Sequence, residues 1–148
     1  MNRSQPAPTS EEPQKISSGS SGLDDILDGG FDADRVYLIE GRPGTGKTTL
    51  ALQFLLEGAR QGERCLYVTL SESEMELRGV AARHGWSLQT VDIFELVSAE
   101  ASFDPDQELT LFHPAEMELN ETTQLVLDRV TQANPKRVVF DSLSEMEL

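Results

Sequence analysis

Within eight residues, Gly41-Arg42-Pro43-Gly44-Thr45-Gly46-Lys47-Thr48 combines three glycines, a lysine and a hydroxyl at the spacing G-x-x-x-x-G-K-[ST]. Each fixed position has a physical task. The glycines let successive N–H groups turn into one concavity that closes round phosphate oxygens. Lys47 sets a compact cation against the β- and γ-phosphates, and Thr48 offers a hydroxyl to Mg²⁺. A helix beginning here aims its positive end at the anion. The alternative is a glycine-rich turn before an ordinary helix. Two carboxylates stand out beside the loop. Asp141 follows the apolar run Val138-Val139-Phe140 and could hold Mg²⁺ directly or through water, or else cap the next turn. Glu72 lies two residues past the apolar run 65–70 and could take a proton from a water attacking the γ-phosphate. Glu74 and Glu76 compete with it, and a helix-terminal or solvated Glu is the plain alternative.

The flanking elements must place these groups. Arg35-Val36-Tyr37-Leu38-Ile39-Glu40 reads as a buried strand leading into the loop. Residues 49–57 carry good helix formers with apolar positions at 52, 55, 56 and 59, so a helix follows, ending near Gln61-Gly62. Residues 64–70 predict a second strand. A helix from Ser73 to His84 is expected, with a Ser73/Glu76 capping box and a stop at Gly85, and Trp86 and Leu88 packed beneath. Val91–Val97 predicts a third strand. Residues 98–118 read as a long loop, and 121–133 as a helix capped by Asn120 with Leu125, Val126 and Val130 inward. Arg137–Ser142 predicts a buried strand ending at Asp141, at the sheet edge where parallel sheets carry ligands. Upstream, residues 1–15 read as a disordered tail. Ser21 or Asp24 is expected to cap a short helix that buries Leu23, Ile26 and Leu27 and stops at Gly29-Gly30. Strands alternating with helices imply an α/β fold with a mostly parallel sheet.

Composition excludes several classes. The chain has 148 residues, 38% of them hydrophobic, which suits one domain with an ordinary core. No run approaches the ~20 apolar residues of a membrane span, and the first residues have no apolar signal core. A net charge of −14, with only 12 Lys and Arg, argues against direct nucleic-acid binding. A single cysteine, Cys65, fits a reducing cytoplasm and reads as a core residue. His84 and His113 have no partner at ligand spacing, and Asp104 and Asp106 lack the rest of a calcium loop.

Taken together, three blocks resemble the KaiC-like branch of the RecA-like P-loop ATPases. They are residues 21–31 with Gly29-Gly30-Phe31, residues 40–55 around the glycine-rich loop, and Val138-Val139-Phe140-Asp141-Ser142-Leu143. The resemblance covers residues 16–148, read as the N-terminal portion of such a domain. It implies ATP binding and Mg²⁺-dependent hydrolysis, often in homo-oligomeric rings with sites shared between neighbours. It implies phosphate binding by Gly41, Arg42, Pro43, Gly44, Thr45, Gly46, Lys47, Thr48 and Thr49, metal binding by Thr48 and Asp141, and catalytic roles for Lys47 and Glu72. The family's pair of glutamates after the second strand reads Ser71-Glu72 here, and Asp32-Ala33-Asp34 replaces its usual Pro and Gly. In such ATPases a later strand lies between the loop strand and the Asp141 strand. The chain is therefore expected to be part of a longer ATPase, with weak hydrolysis and marginal folding by itself. A signalling or scaffold module with little turnover, and a serine/threonine autokinase, are the other functions the resemblance leaves open.

Overall fold

Cys65-Leu66-Tyr67-Val68-Thr69 forms a strand, β3, whose five residues are all buried. An unbroken apolar run, rather than an alternating one, is what a central parallel strand requires, because both its faces are covered. In the computed structural model, which describes residues 14–96 and 114–142, the elements are β1 (Lys15–Ile16), α1 (Ser21–Ile26), β2 (Phe31–Asp32), α2 (Lys47–Arg60), β3 (Cys65–Thr69), α3 (Glu74–Arg83), β4 (Val91–Glu95), α4 (Pro114–Ala133) and β5 (Arg137–Asp141). The main sheet has the order β4-β3-β5, and both ladders are parallel. Its register pairs Thr69 with both Glu95 and Asp141, so the three strands end together at one edge.

One face of the sheet carries α2 and α3. Leu52 and Leu55 of α2 and Leu77 and Ala81 of α3 pack with Cys65, Tyr67, Leu88 and Val91 in one buried cluster. The strand period of two turns Leu66 and Val68 to the other face, in register with Asp92 and Phe94. There Arg129 of α4 binds the Asp92 carboxylate and lies 5.9 Å over the Phe94 ring. The helix after β3 begins as expected: Ser73 accepts from the Glu76 N–H while the Glu76 carboxylate accepts from the Ser73 N–H.

β1 and β2 form a separate antiparallel pair. Arg137, only 2% exposed, ties the segment that follows β1 to the sheet. Its guanidinium bonds the Glu63 carboxylate and donates to the carbonyls of Ser17 (2.7 Å) and Phe54 (2.9 Å). It also lies 4.7 Å over the Phe54 ring. Arg137→Ala is expected to cost about 3 kcal/mol, the lower end for breaking a buried pair, because Glu63 keeps contact with water. Denaturant unfolding of the variant checks this.

Several expectations are corrected. Residues 35–40 are not a buried strand: they pair with no described strand, and Val36 is 99% and Leu38 68% exposed. Apolar sequence makes burial favourable, but a strand forms only where a neighbour supplies hydrogen bonds. β5, by contrast, does pair with β3, but as an edge strand it is not the buried strand expected: Val138 and Val139 are half-buried and Phe140 is 43% exposed. The short helix α1 is preceded by Ser20 at its cap position with no side-chain cap, and its Ile26 is 81% exposed, while Leu23 and Leu27 are half-buried. Asp24 instead accepts from Ser17 Oγ (2.6 Å) and the Ser18 N–H (2.7 Å), which folds the preceding turn back on the helix. α4 starts at Pro114, inside the stretch read as loop, so Asn120 is not its cap. Proline suits a first helical position, where its missing N–H costs nothing. Leu125 is 55% exposed, whereas Val126 and Val130 are half-buried. The tail to residue 13, most of the loop read over 98–118, His113, Asp104 and Asp106 lie outside the described residues.

Candidate functional site

The glycine-rich loop joins residues 35–40 to α2. Gly44 and Gly46 have φ of 82° and 91°, left-handed conformations that any side chain would strain, although a Cβ at either would meet no atom. Backbone conformation, not space, requires glycine there. The Arg42 carbonyl accepts from both the Thr45 N–H (3.2 Å) and Thr45 Oγ1 (2.9 Å), which tightens the turn. Lys47 Nζ donates to the carbonyls of Gly41 (2.8 Å) and Arg42 (3.2 Å), so the ammonium lies over the loop. Pro43 lies exposed within the loop and Thr49 half-buried in the first turn of α2. Gly46, the residue before α2, has no side chain to cap the first N–H groups. The helix thus presents its positive end at the loop.

Asp141, the last residue of β5, meets the start of α2 across 93 residues of sequence: Thr48 Oγ1 donates to Asp141 Oδ2 at 2.9 Å. The Tyr67 hydroxyl donates to the same oxygen at 2.6 Å. The Leu70 N–H bonds the Asp141 carbonyl at 2.9 Å, holding its backbone to the segment after β3.

Glu72 follows β3 and is held by Thr69, whose Oγ1 accepts from the Glu72 N–H (3.0 Å) and donates to the Glu72 carbonyl (2.7 Å). Its Oε2 is buried with no hydrogen-bond partner among the described residues. Burial first, then the negative charges of Asp141 and Glu76, push the Glu72 carboxyl above the ordinary range. The competing carboxylates are engaged elsewhere. Glu74 pairs with Arg78 one helical turn on, and Glu76 closes the capping box, whose bonds to Ser73 hold its carboxyl low.

The sequence-predicted residues Lys47, Thr48, Asp141 and Glu72 therefore come from α2 and from the ends of β5 and β3. Thr48, Asp141 and Glu72 offer hard oxygen donors, of the kind Mg²⁺ takes. The Thr48–Asp141 contact brings two such oxygens together, and the Glu72 carboxyl feels the Asp141 charge, so this donor set fits such an ion. No group of three His, Cys, Asp or Glu suited to a metal occurs among the described residues, and His84 instead stacks on Trp86 at 4.6 Å. Sequence reasoning missed Tyr67, Thr69 and Arg137. A phenol, a hydroxyl and a guanidinium inside apolar strand runs were the available signal, since such groups need buried partners.

A family model described as "ATPase: KaiC" matches residues 16–148. A UPF0273 protein of Pyrococcus horikoshii is 31% identical over 138 residues, covering 90% of this chain and 56% of its own length. The circadian clock oscillator protein KaiC of Rippkaea orientalis is 33% identical over 132 residues, covering 89% of this chain and 23% of that protein. KaiC of Prochlorococcus marinus strain MIT 9313 is 35% identical over 133 residues, covering 88% of this chain and 26% of that protein. The chain spans about half the length of the first of these relatives and about a quarter of the others. With an α/β fold on a parallel sheet and this match over 16–148, the chain belongs to the KaiC-like ATPase family of the RecA-like P-loop superfamily.

Proposed function

We propose that the protein binds ATP with Mg²⁺ on residues 41–49 and hydrolyses it, acting as a homo-oligomer with sites near subunit boundaries. The convergence of Thr48, Asp141 and Glu72 at the end of α2 nearest the loop carries this reading. The loop N–H groups of Gly41, Arg42, Pro43's neighbour Gly44, Thr45, Gly46, Lys47, Thr48 and Thr49 line the phosphates, and Lys47 leaves its own loop carbonyls for the β- and γ-phosphates. Thr48 and Asp141 would hold the ion. When bound, Mg²⁺ neutralises phosphate charge and fixes the γ-phosphoryl group for in-line attack. Glu72 orients the attacking water and accepts its proton, for which it must be ionised. The fixed positive groups of the loop and α2 stabilise charge on the transferring group, the larger part of the acceleration.

Calorimetric ATP binding with and without Mg²⁺, together with phosphate release by the intact protein, tests the reading; no Mg²⁺-dependent ATP binding overturns it. A second reading, a nucleotide-dependent binding module with little turnover, rests on Ser71 standing where the family often has a second glutamate. Tight ATP binding without phosphate release favours it. We further place the protein in the cytoplasm, consistent with a single cysteine, Cys65, which is buried and unpaired. No described helix is long and apolar enough to cross a membrane. The acidic surface speaks against nucleic acid as a partner.

The raised carboxyl of Glu72 sets a pH dependence. The base works only when ionised, so the acidic limb of the rate profile lies above the ordinary carboxylate range near pH 4.3. A profile of kcat/KM against pH, which reports the groups of the free protein, checks it. The limb should disappear in Glu72→Gln, leaving a low rate with little dependence on acid.

A further inference from the structure

Tyr67 sits in the middle of the most buried strand, with its side chain wholly shielded from solvent. Its ring packs in the same cluster as Leu52, Leu55 and Leu77. A buried phenol needs a partner for its hydroxyl, and the partner it has is Asp141 Oδ2 at 2.6 Å. The ladder pairs Tyr67 with Val139 and Thr69 with Asp141, so the phenol reaches two residues along β5 towards the sheet edge. Thr48 donates to the same oxygen from the opposite element, α2, and neither hydroxyl bonds Oδ1.

We propose that Tyr67 is a positioning residue for the metal carboxylate: it grips Asp141 by Oδ2 and leaves Oδ1 as the oxygen offered to Mg²⁺ or its waters. The inference rests on the ATP·Mg²⁺ reading above. The backbone of Asp141 is already fixed by the ladder and by the Leu70 N–H. Only its side-chain torsions remain to be set. Thr48 could set them alone, but its hydroxyl is itself a candidate ligand, and its geometry must serve the ion. A second donor that never touches the ion removes that conflict. Tyr67 remains protonated and hence a donor, because burial and the Asp141 charge both push its ionisation up. Such outer partners typically tune metal affinity by about 10- to 100-fold.

Tyr67→Phe keeps the ring and deletes the donor. The test titrates Mg²⁺ into the full chain with a fluorescent ATP analogue, and repeats the nucleotide titration in EDTA. Half-saturating Mg²⁺ should rise about 10-fold or more, while nucleotide affinity in EDTA is unchanged. An unchanged Mg²⁺ requirement, or equal losses with and without the ion, overturns the proposal and leaves Tyr67 a packing residue. If Tyr67→Phe does not fold, 3-fluorotyrosine labelling of the unsubstituted sequence serves instead. The chain has 2 tyrosines, so Tyr37→Phe assigns the Tyr67 ¹⁹F resonance. That resonance should move when Mg²⁺ joins the ATP-bound protein, and a stationary resonance overturns the proposal. Should the unsubstituted chain itself show no Mg²⁺-dependent nucleotide binding, the ATP·Mg²⁺ reading fails first, a result distinct from any effect of Tyr67.

Discussion

Glu72→Gln is expected to lower ATP turnover by about 100- to 10,000-fold while leaving ATP binding intact. The amide keeps the shape of the side chain but cannot accept a proton from water. Three observations single out this carboxylate. Thr69 fixes its backbone from both sides. Its Oε2 is buried without a partner among the described residues. Its neighbours Glu74 and Glu76 are held by Arg78 and by the helix cap. The effect on folding should run the other way. A carboxyl raised in the folded state binds its proton more tightly there than in the unfolded chain. Its contribution to stability is therefore fully present below the unfolded value and is lost as pH rises through the folded one. At neutral pH the native state bears the cost of a buried anion, so Glu72→Gln should melt no lower than the parent, and its stability should fall less between pH 4 and 7. Lost turnover with retained ATP affinity and an unchanged or higher melt is the combined signature. Turnover at the parent rate would remove Glu72 from the mechanism.

Lys47→Ala should reduce turnover by about 100- to 1,000-fold, the usual consequence of deleting one preorganised positive donor. Here ATP affinity should fall as well, because the ammonium meets phosphates in the ground state as well as the transition state. The structure gives a reason to expect little cost to folding. Among the described residues, Lys47 Nζ bonds only two carbonyls of its own exposed loop, Gly41 and Arg42, and no acidic partner is left buried by its removal. Exposed bonds of this kind are replaced by water, and surface substitutions commonly lie within about 0.5 kcal/mol. Single-turnover kinetics and calorimetry on a variant with an unchanged melt would separate chemistry from fold. Parent-like hydrolysis would show that the loop is not the phosphate site. The two variants differ in what they spare: Glu72→Gln keeps nucleotide and loses the attack, whereas Lys47→Ala weakens both.

Much of this architecture was legible because it is local. The Ser73/Glu76 capping box, the helix from Lys47 to Arg60, the buried run at β3 and the strand character of β5 follow from spacing within a few residues. Left-handed glycines at 44 and 46 follow from the loop pattern itself. The misreadings share one cause. Val36 and Leu38 carry the composition of a buried strand, yet they are exposed, because burial depends on a neighbour that composition cannot name. Ile26 and Leu125 fail likewise: helical spacing gives an apolar stripe without saying what it will meet. Asp24 has the chemistry of a cap but is drawn to the Ser17–Ser18 turn, a competition that spacing does not resolve.

By itself the sequence determined the glycine-rich loop, the alternation of strands and helices, and a short set of carboxylates proposed to serve it. These depend on residue types at short range, where backbone preference and hydrophobic period act directly. Only the tertiary structure decided that Asp141 shares one oxygen between Thr48 and Tyr67, that Glu72 rather than Glu74 or Glu76 keeps a buried oxygen without a partner among the described residues, and that Arg137 joins the segment that follows β1 to the sheet. The Asp141 and Arg137 contacts span 74 to 120 residues of chain. They are set by sheet register and by which helix covers which face, and no local pattern encodes either.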